Sequence, residues 1–169
     1  ISIGSYSSGV KFLIENNELT SNSGGVSWSG NTNQSIFRNN TVNDNGFGIS
    51  IGSSNIEILE NIFINNGGTL IEISGSGHNL HMNSFINNGD LVIKNNSSSD
   101  VFADSNYWGT TDVVEISNMI HDYHDDFELG EVVFNPLMMS EGENLNYMPE
   151  IDVVVEPVFG LAPLTVTFT

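Results

Sequence analysis

The densest group of side chains able to bind or transfer anything is His121-Asp122-Tyr123-His124-Asp125-Asp126. Two imidazoles three residues apart, beside three carboxylates, are donor types that hold a transition metal; the carboxylates alone suit Ca2+. The competing use of His121, Asp122, His124, Asp125 and Asp126 is structural, with histidines near the negative end of a helix and aspartates capping the next turn. Elsewhere the candidates thin out. His78 and His81 are expected on a solvated outer face. Glu57 and Glu60 are close in sequence but flank an ordinary strand, and hydrolysis of a glycoside needs two carboxylates about 5–10 Å apart across a substrate. Sequons at Asn33, Asn39, Asn95 and Asn96 would suit glycosylation of a surface protein, Asn39 least because it adjoins a structural asparagine. With no cysteine, thiolate and disulfide chemistry are excluded. No residue is assigned a catalytic role.

The charge balance narrows the partners. Three basic residues (Lys11, Arg38, Lys94) face 21 acidic ones, for a net charge of −18. Such a surface repels nucleic acid and anionic lipid and attracts Ca2+, Mg2+ or Na+. No cofactor is required, and divalent cations are the ions expected to screen it. There is no apolar run of about 18 residues, so no membrane insertion is expected. The chain starts at Ile1 in what already reads as strand, so either a leader has been removed or the chain is a piece of something longer.

The elements that must position these residues repeat. Asn17-Glu18-Leu19 leads to Asn22, Asn40-Thr41-Val42 to Asn45, Asn61-Ile62-Phe63 to Asn66 and Asn83-Ser84-Phe85 to Asn88. Ser105-Asn106-Tyr107 reads as a degenerate fifth copy. The repeat is thus about 22 residues long, a length typical of stacked coils. Three residues before each anchor stands a large apolar residue: Ile14, Phe37, Ile58, Leu80 and Phe102. A glycine-rich turn follows, then the alternating pairs Val26/Trp28, Ile49/Ile51 and Ile71/Ile73, with Ile93 alone in the fourth copy. Alternation with period two means strands, and each copy holds about three short ones. Three strands joined by tight polar bends make one rung of a β-helix, with rungs stacked at about 4.8 Å. Inward residues would stack into columns. Asn17, Asn40, Asn61 and Asn83, and separately Asn22, Asn45, Asn66 and Asn88, would form amide ladders. The Asn-Gly pairs at 45-46, 66-67 and 88-89 are expected to supply the left-handed φ of the bends. Stacking also predicts neighbouring-rung ion pairs Glu15–Arg38 and Glu72–Lys94.

The segment NQSIFRNNTVNDNGFGISIGSSNIEILENIFINNGG resembles the Asn-rich right-handed parallel β-helix repeats of the pectin-lyase-like superfamily, in the subgroup of NosD-type and archaeal surface proteins. SNYWGTTD (105–112) resembles the element that closes such coils, and the stretch to Met138 their C-terminal cap. PVFGLAPLTVTFT (157–169) resembles the first strand of a polycystic-kidney-disease (PKD) repeat. The resemblance implies an all-β fold: a single-stranded right-handed parallel β-helix of about five rungs over 1–110, a cap over 111–138, a linker over 139–154 and an incomplete Ig-like strand over 155–169. Within the cap, Val113, Ile116, Ile120 and Tyr123 predict one short amphipathic helix in 111–126, opened by an Asp112/Glu115 capping box. Val132-Val133-Phe134 should return to the coil end as a strand.

The resemblance implies location more than activity. Polysaccharide lyases on this fold use a basic general base beside Asp-bound Ca2+, and no Lys or Arg here stands beside stacked aspartates. Trp28 reads as inward and Trp108 as part of the cap, which leaves no aromatic row for sugars. The expectation is therefore a non-catalytic structural protein of the extracellular surface, in an envelope, S-layer or sheath-like assembly, partnered by its own copies or other envelope proteins. The alternative is a carbohydrate-binding or polysaccharide-cleaving module whose partners are glycans.

Overall fold

The computed structural model describes residues 1–32 and 34–141, the side chains of 5–8 and 31–32 excepted. The segment expected as a PKD strand, most of the expected linker, and Asn33 lie outside the described residues.

The chain winds through three parallel sheets, visiting each once per coil. The first sheet is β1 (Ser2–Val10), β4 (Val26–Thr32), β7 (Ile49–Ile51), β10 (Thr69–Ile73), β13 (Leu91–Asn95) and β15 (Ile120–His121). The second holds β2 (Leu13–Glu15), β5 (Ser35–Arg38), β8 (Ile56–Leu59), β11 (Asn79–His81), β14 (Val101–Phe102) and β16 (Val132–Val133). The third holds β3 (Glu18–Thr20), β6 (Thr41–Asn43), β9 (Ile62–Ile64) and β12 (Ser84–Ile86), and a single bridge from Ser84 to Tyr107 starts a fifth coil. Every pairing is parallel. This is a parallel β-helix.

The register follows the repeat. Leu19 pairs with Val42, Val42 with Phe63 and Phe63 with Phe85. Ile14, Phe37, Ile58 and Leu80 form a second column, and Val26, Ile49, Ile71, Ile93 and Ile120 a third. Strand alternation buries one face of each segment, so these columns meet inside and fill the interior. Through them runs a continuous file of rings: Phe12, Trp28, Phe37, Phe63, Phe85, Trp108 and Phe134, with successive centroids 5.1–6.5 Å apart. Trp28 is inward, as expected. Trp108 is core rather than cap, packed between Phe85 and Phe134 and 2 % exposed.

That placement corrects the fifth copy. Ser84 opposes Tyr107, which puts Trp108 over Phe85. Asn106, not Ser105, continues the first ladder, and Ala103, not Phe102, lies inside; Phe102 is 49 % exposed. The step is 22 residues at Ile73–Asn95 and 23 from Asn79–Phe102 onward, so the extra residue enters between β13 and β14 and shifts Ala103, Asn106 and Trp108 together.

The bends also differ from expectation. Positive φ falls on the residue before each ladder asparagine: Asn16, Asn39, Glu60, Met82 and Ser105 in one series, Ser21, Asp44, Asn65 and Asn87 in the other. Gly46 has no positive φ. It is glycine because a Cβ there would collide with the Ser23 carbonyl of the preceding coil.

In the cap, α1 spans only Val113–Asn118. Asp112 caps it by accepting from the Val114 and Glu115 N–H groups, but its own N–H donates to Thr110 Oγ1, so the capping box is half formed. The expected helix to 126 stops early because Ile120 and His121 pair with Ile93 and Lys94 instead, extending the first sheet, while Tyr123 is exposed. Val132 and Val133 pair with Val101 and Phe102, the predicted return strand.

Candidate functional site

The residues with the most chemistry are turned to architecture. In the first ladder, Asn61 Nδ2 donates to Phe37 O, Leu59 O and Asn83 Oδ1, and its Oδ1 accepts from the Asn40 N–H and Nδ2. Asn17, Asn40 and Asn83 repeat the pattern, and Asn106 closes it. The second ladder runs Asn22, Asn45, Asn66, Asn88 in the same sense. Each amide satisfies the bend of its own coil and of a neighbour, which is why it can be buried.

His121, Asp122, His124, Asp125 and Asp126 share one turn of the cap without converging. Asp122 is buried; Oδ1 accepts from the His124 N–H at 3.0 Å and Oδ2 from the Val132 N–H at 2.7 Å. Asp125 Oδ2 accepts from the Asp122 N–H and stands 3.5 Å from His121 Nδ1. Asp126 Oδ1 accepts from the Glu128 N–H. His124 points away to Glu131, 3.7 Å off. Among the described residues no three His, Cys, Asp or Glu are grouped to hold a metal. The expected ligand cluster is a turn whose carboxylates cap backbone, because a tight loop exposes N–H groups that need acceptors. An open depression of about 330 Å³ beside it is lined by Ser117, Ile120, Asp122, His124 and Phe134.

His78 is a second correction. It stands two residues before Leu80, as Ile56 stands before Ile58, and so points inward; it has no exposed surface. Its Nδ1 accepts from the Ile56 N–H at 3.3 Å, leaving the ring proton on Nε2 near the Ser53 backbone without a well-aligned acceptor. Burial lowers its pKa from 6.5 to about 4, against smaller opposing effects of the Ile56 and Ser53 backbone. Gly75 makes room for the ring, since a Cβ there would stand 2.9 Å from Nε2 and collide with the Ser53 carbonyl. His81 is on the outer face as expected, with Nδ1 3.3 Å from Asp104 Oδ1.

Among the sequon asparagines, Asn95 is buried below Ile73, with Nδ2 donating to Ser99 O and Gly130 O and Oδ1 accepting from the Ser97 N–H. In the folded chain it offers no accessible amide. Asn96 points outward and donates to Glu72 Oε1 at 2.9 Å, and Asn39 is exposed. The predicted pairs form: Arg38–Glu15 at 2.7 Å and Lys94–Glu72 at 3.6 Å. Period-two alternation applied past Ile93 and before Leu80 would have found Asn95 and His78; the partners Asp104 and Glu131 had no sequence signal.

A polar groove of about 500 Å³ runs along the flank of the second sheet past Lys11, Gln34, Ile36, Asn55, Glu57 and Asn79. A single cation and a single carboxylate line it.

A parallel solenoid of this register, edged by amide ladders, defines a class of stacked-repeat protein. A family model described as a right handed beta helix region matches residues 2–122, and the chain belongs to that family. Comparison with curated proteins and with solved structures gave no match.

Proposed function

We propose that the chain is a non-catalytic structural module of an extracellular surface, of the Asn-rich kind found in NosD-type and archaeal surface-protein repeats, serving as a rigid segment of an envelope, S-layer or sheath-like array. The observation that carries the proposal is the use of the polar side chains. Asn61, Asn95 and Asp122, three of the buried polar side chains, are each engaged by backbone acceptors or donors. The −18 charge leaves copies mutually repulsive until divalent cations such as Ca2+ screen or bridge them. Electron microscopy and sedimentation in Ca2+ and in chelator test this: Ca2+-dependent assemblies are expected, and monomers under both conditions overturn it.

A second reading, glycan binding, is favoured by the groove along the second sheet, where Gln34, Glu57 and Asn79 line successive coils. It predicts retention on a panel of neutral and acidic polysaccharides that Asn79→Ala and Glu57→Ala weaken; no retention on any member removes it.

A further inference from the structure

We infer that Asn88-Gly89 is a self-modification site, at which the Asn88 side-chain amide is lost to give aspartate and isoaspartate about tenfold or more faster than at the other two Asn-Gly pairs.

The three pairs share a local chemistry and differ in what holds them. In each, the glycine N–H donates to the asparagine carbonyl of the preceding coil, Gly46 to Asn22, Gly67 to Asn45 and Gly89 to Asn66, so this bond does not discriminate. The side chains do. Asn45 Nδ2 donates to Leu19 O, Asn43 O and Asn66 Oδ1; Asn66 Nδ2 donates to Val42 O, Ile64 O and Asn88 Oδ1. Both are buried, with a coil on each side. Asn88 Nδ2 donates once, to Phe63 O at 3.0 Å, and the side chain is half-buried. No ladder asparagine follows it among the described residues, because after Trp108-Gly109 the chain leaves the coil for α1. A depression of about 160 Å³, lined by Asn88, Gly89, Trp108, Thr110 and Glu115, opens beside this end of the ladder.

The reaction needs only water. When the last bend opens, the Gly89 backbone nitrogen gives up its proton to solvent and attacks Asn88 Cγ. The N–Cγ bond forms, the Cγ–Nδ2 bond breaks and ammonia leaves, giving a five-membered succinimide. Water then adds to either ring carbonyl and cleaves its bond to nitrogen, so the net change is one water taken up and one ammonia released. Glycine, without a side chain, leaves the attack unhindered. Opening at Asn88 breaks two fewer donated side-chain hydrogen bonds than at Asn45 or Asn66, which corresponds to a roughly tenfold to hundredfold larger open population.

The test incubates the full chain in mildly alkaline H2(18)O and follows each Asn-Gly pair by peptide mapping with isoaspartate-resolving fragmentation. Folded protein should convert Asn88 about tenfold or more faster than Asn45 and Asn66, and urea-unfolded chain should convert all three at similar rates. Equal rates in the folded protein, or an Asn88 still intact when the unfolded chain has fully converted, overturns the inference. Asn88→Gln, which keeps an amide but disfavours cyclisation, should abolish the signal at 88 and leave the far-ultraviolet circular dichroism unchanged; persistence of the signal there also counts against it.

Discussion

At the scale of single residues, burial of His78 has a consequence for stability. Its pKa lies near 4 in the folded chain and near 6.5 when unfolded, so between those values the unfolded state binds more protons. Stability is fully present above pH 6.5 and falls as pH drops toward 4, by about 3 kcal/mol at 1.36 kcal/mol per pKa unit. Urea titrations across this window should show the slope, and His78→Gln should flatten that part of it. Met82 shows the opposite opportunity. It holds φ 55° where most equivalent bends have Asn, Ser or Asp. Left-handed backbone costs a long side chain about 1 kcal/mol or more, so Met82→Asn should raise stability by about 0.5–1 kcal/mol in the same titrations.

At the scale of elements, the ladders and the cap turn use their polar side chains to satisfy backbone groups at the bends. Asn61→Ala would strand the Asn40 N–H and deprive the Phe37 and Leu59 carbonyls of a donor, Leu59 O keeping only the Asn39 N–H. Each uncompensated group costs about 1–3 kcal/mol, so a loss of roughly 3–5 kcal/mol is expected. Asn17→Ala, at an exposed end, should cost about 1 kcal/mol. Similar losses at the two positions in chemical denaturation would show that the ladder is not what holds the bends. In the cap, Asp122→Ala removes the acceptor of Val132 and His124 and should cost about 2–4 kcal/mol with or without Ca2+ present. A loss seen only with Ca2+ would return the turn to the metal-site reading. The ion pairs on the outer faces, Arg38–Glu15 and Lys94–Glu72, are partly exposed and contribute about 0.2–1 kcal/mol each before salt screening.

At the scale of the molecule, the fold is one-dimensional. Each coil touches its neighbours alone, the interior is a file of aliphatic and aromatic columns, and stability propagates along the axis. The −18 charge opposes this compact arrangement. Raising NaCl from low to moderate concentration should therefore move the thermal midpoint upward by a few degrees, where a chain held mainly by ion pairs would move downward. No helix of the described residues is long and apolar enough to cross a membrane.

The columns of inward residues and the two amide ladders were legible in the sequence, because a step of about 22 residues with period-two alternation leaves Leu19, Val42, Phe63 and Phe85 one place to go. The pairs Glu15–Arg38 and Glu72–Lys94 followed from the same stacking. What the tertiary structure alone decided lies where the repeat breaks. It showed that Trp108, not Tyr107, enters the core, that His78 and Asn95 take inward places that isoleucine holds on the preceding coil, and that Ile120 and His121 join the first sheet instead of prolonging α1. It also showed that the carboxylates of Asp122, Asp125 and Asp126 each accept a backbone N–H of their own turn or of the return strand. The reason is physical: a repeat dictates position only while each coil lies on another like it, whereas at an end the choice among strand, helix and turn is made by which unpaired edge and which unmet N–H groups are within reach.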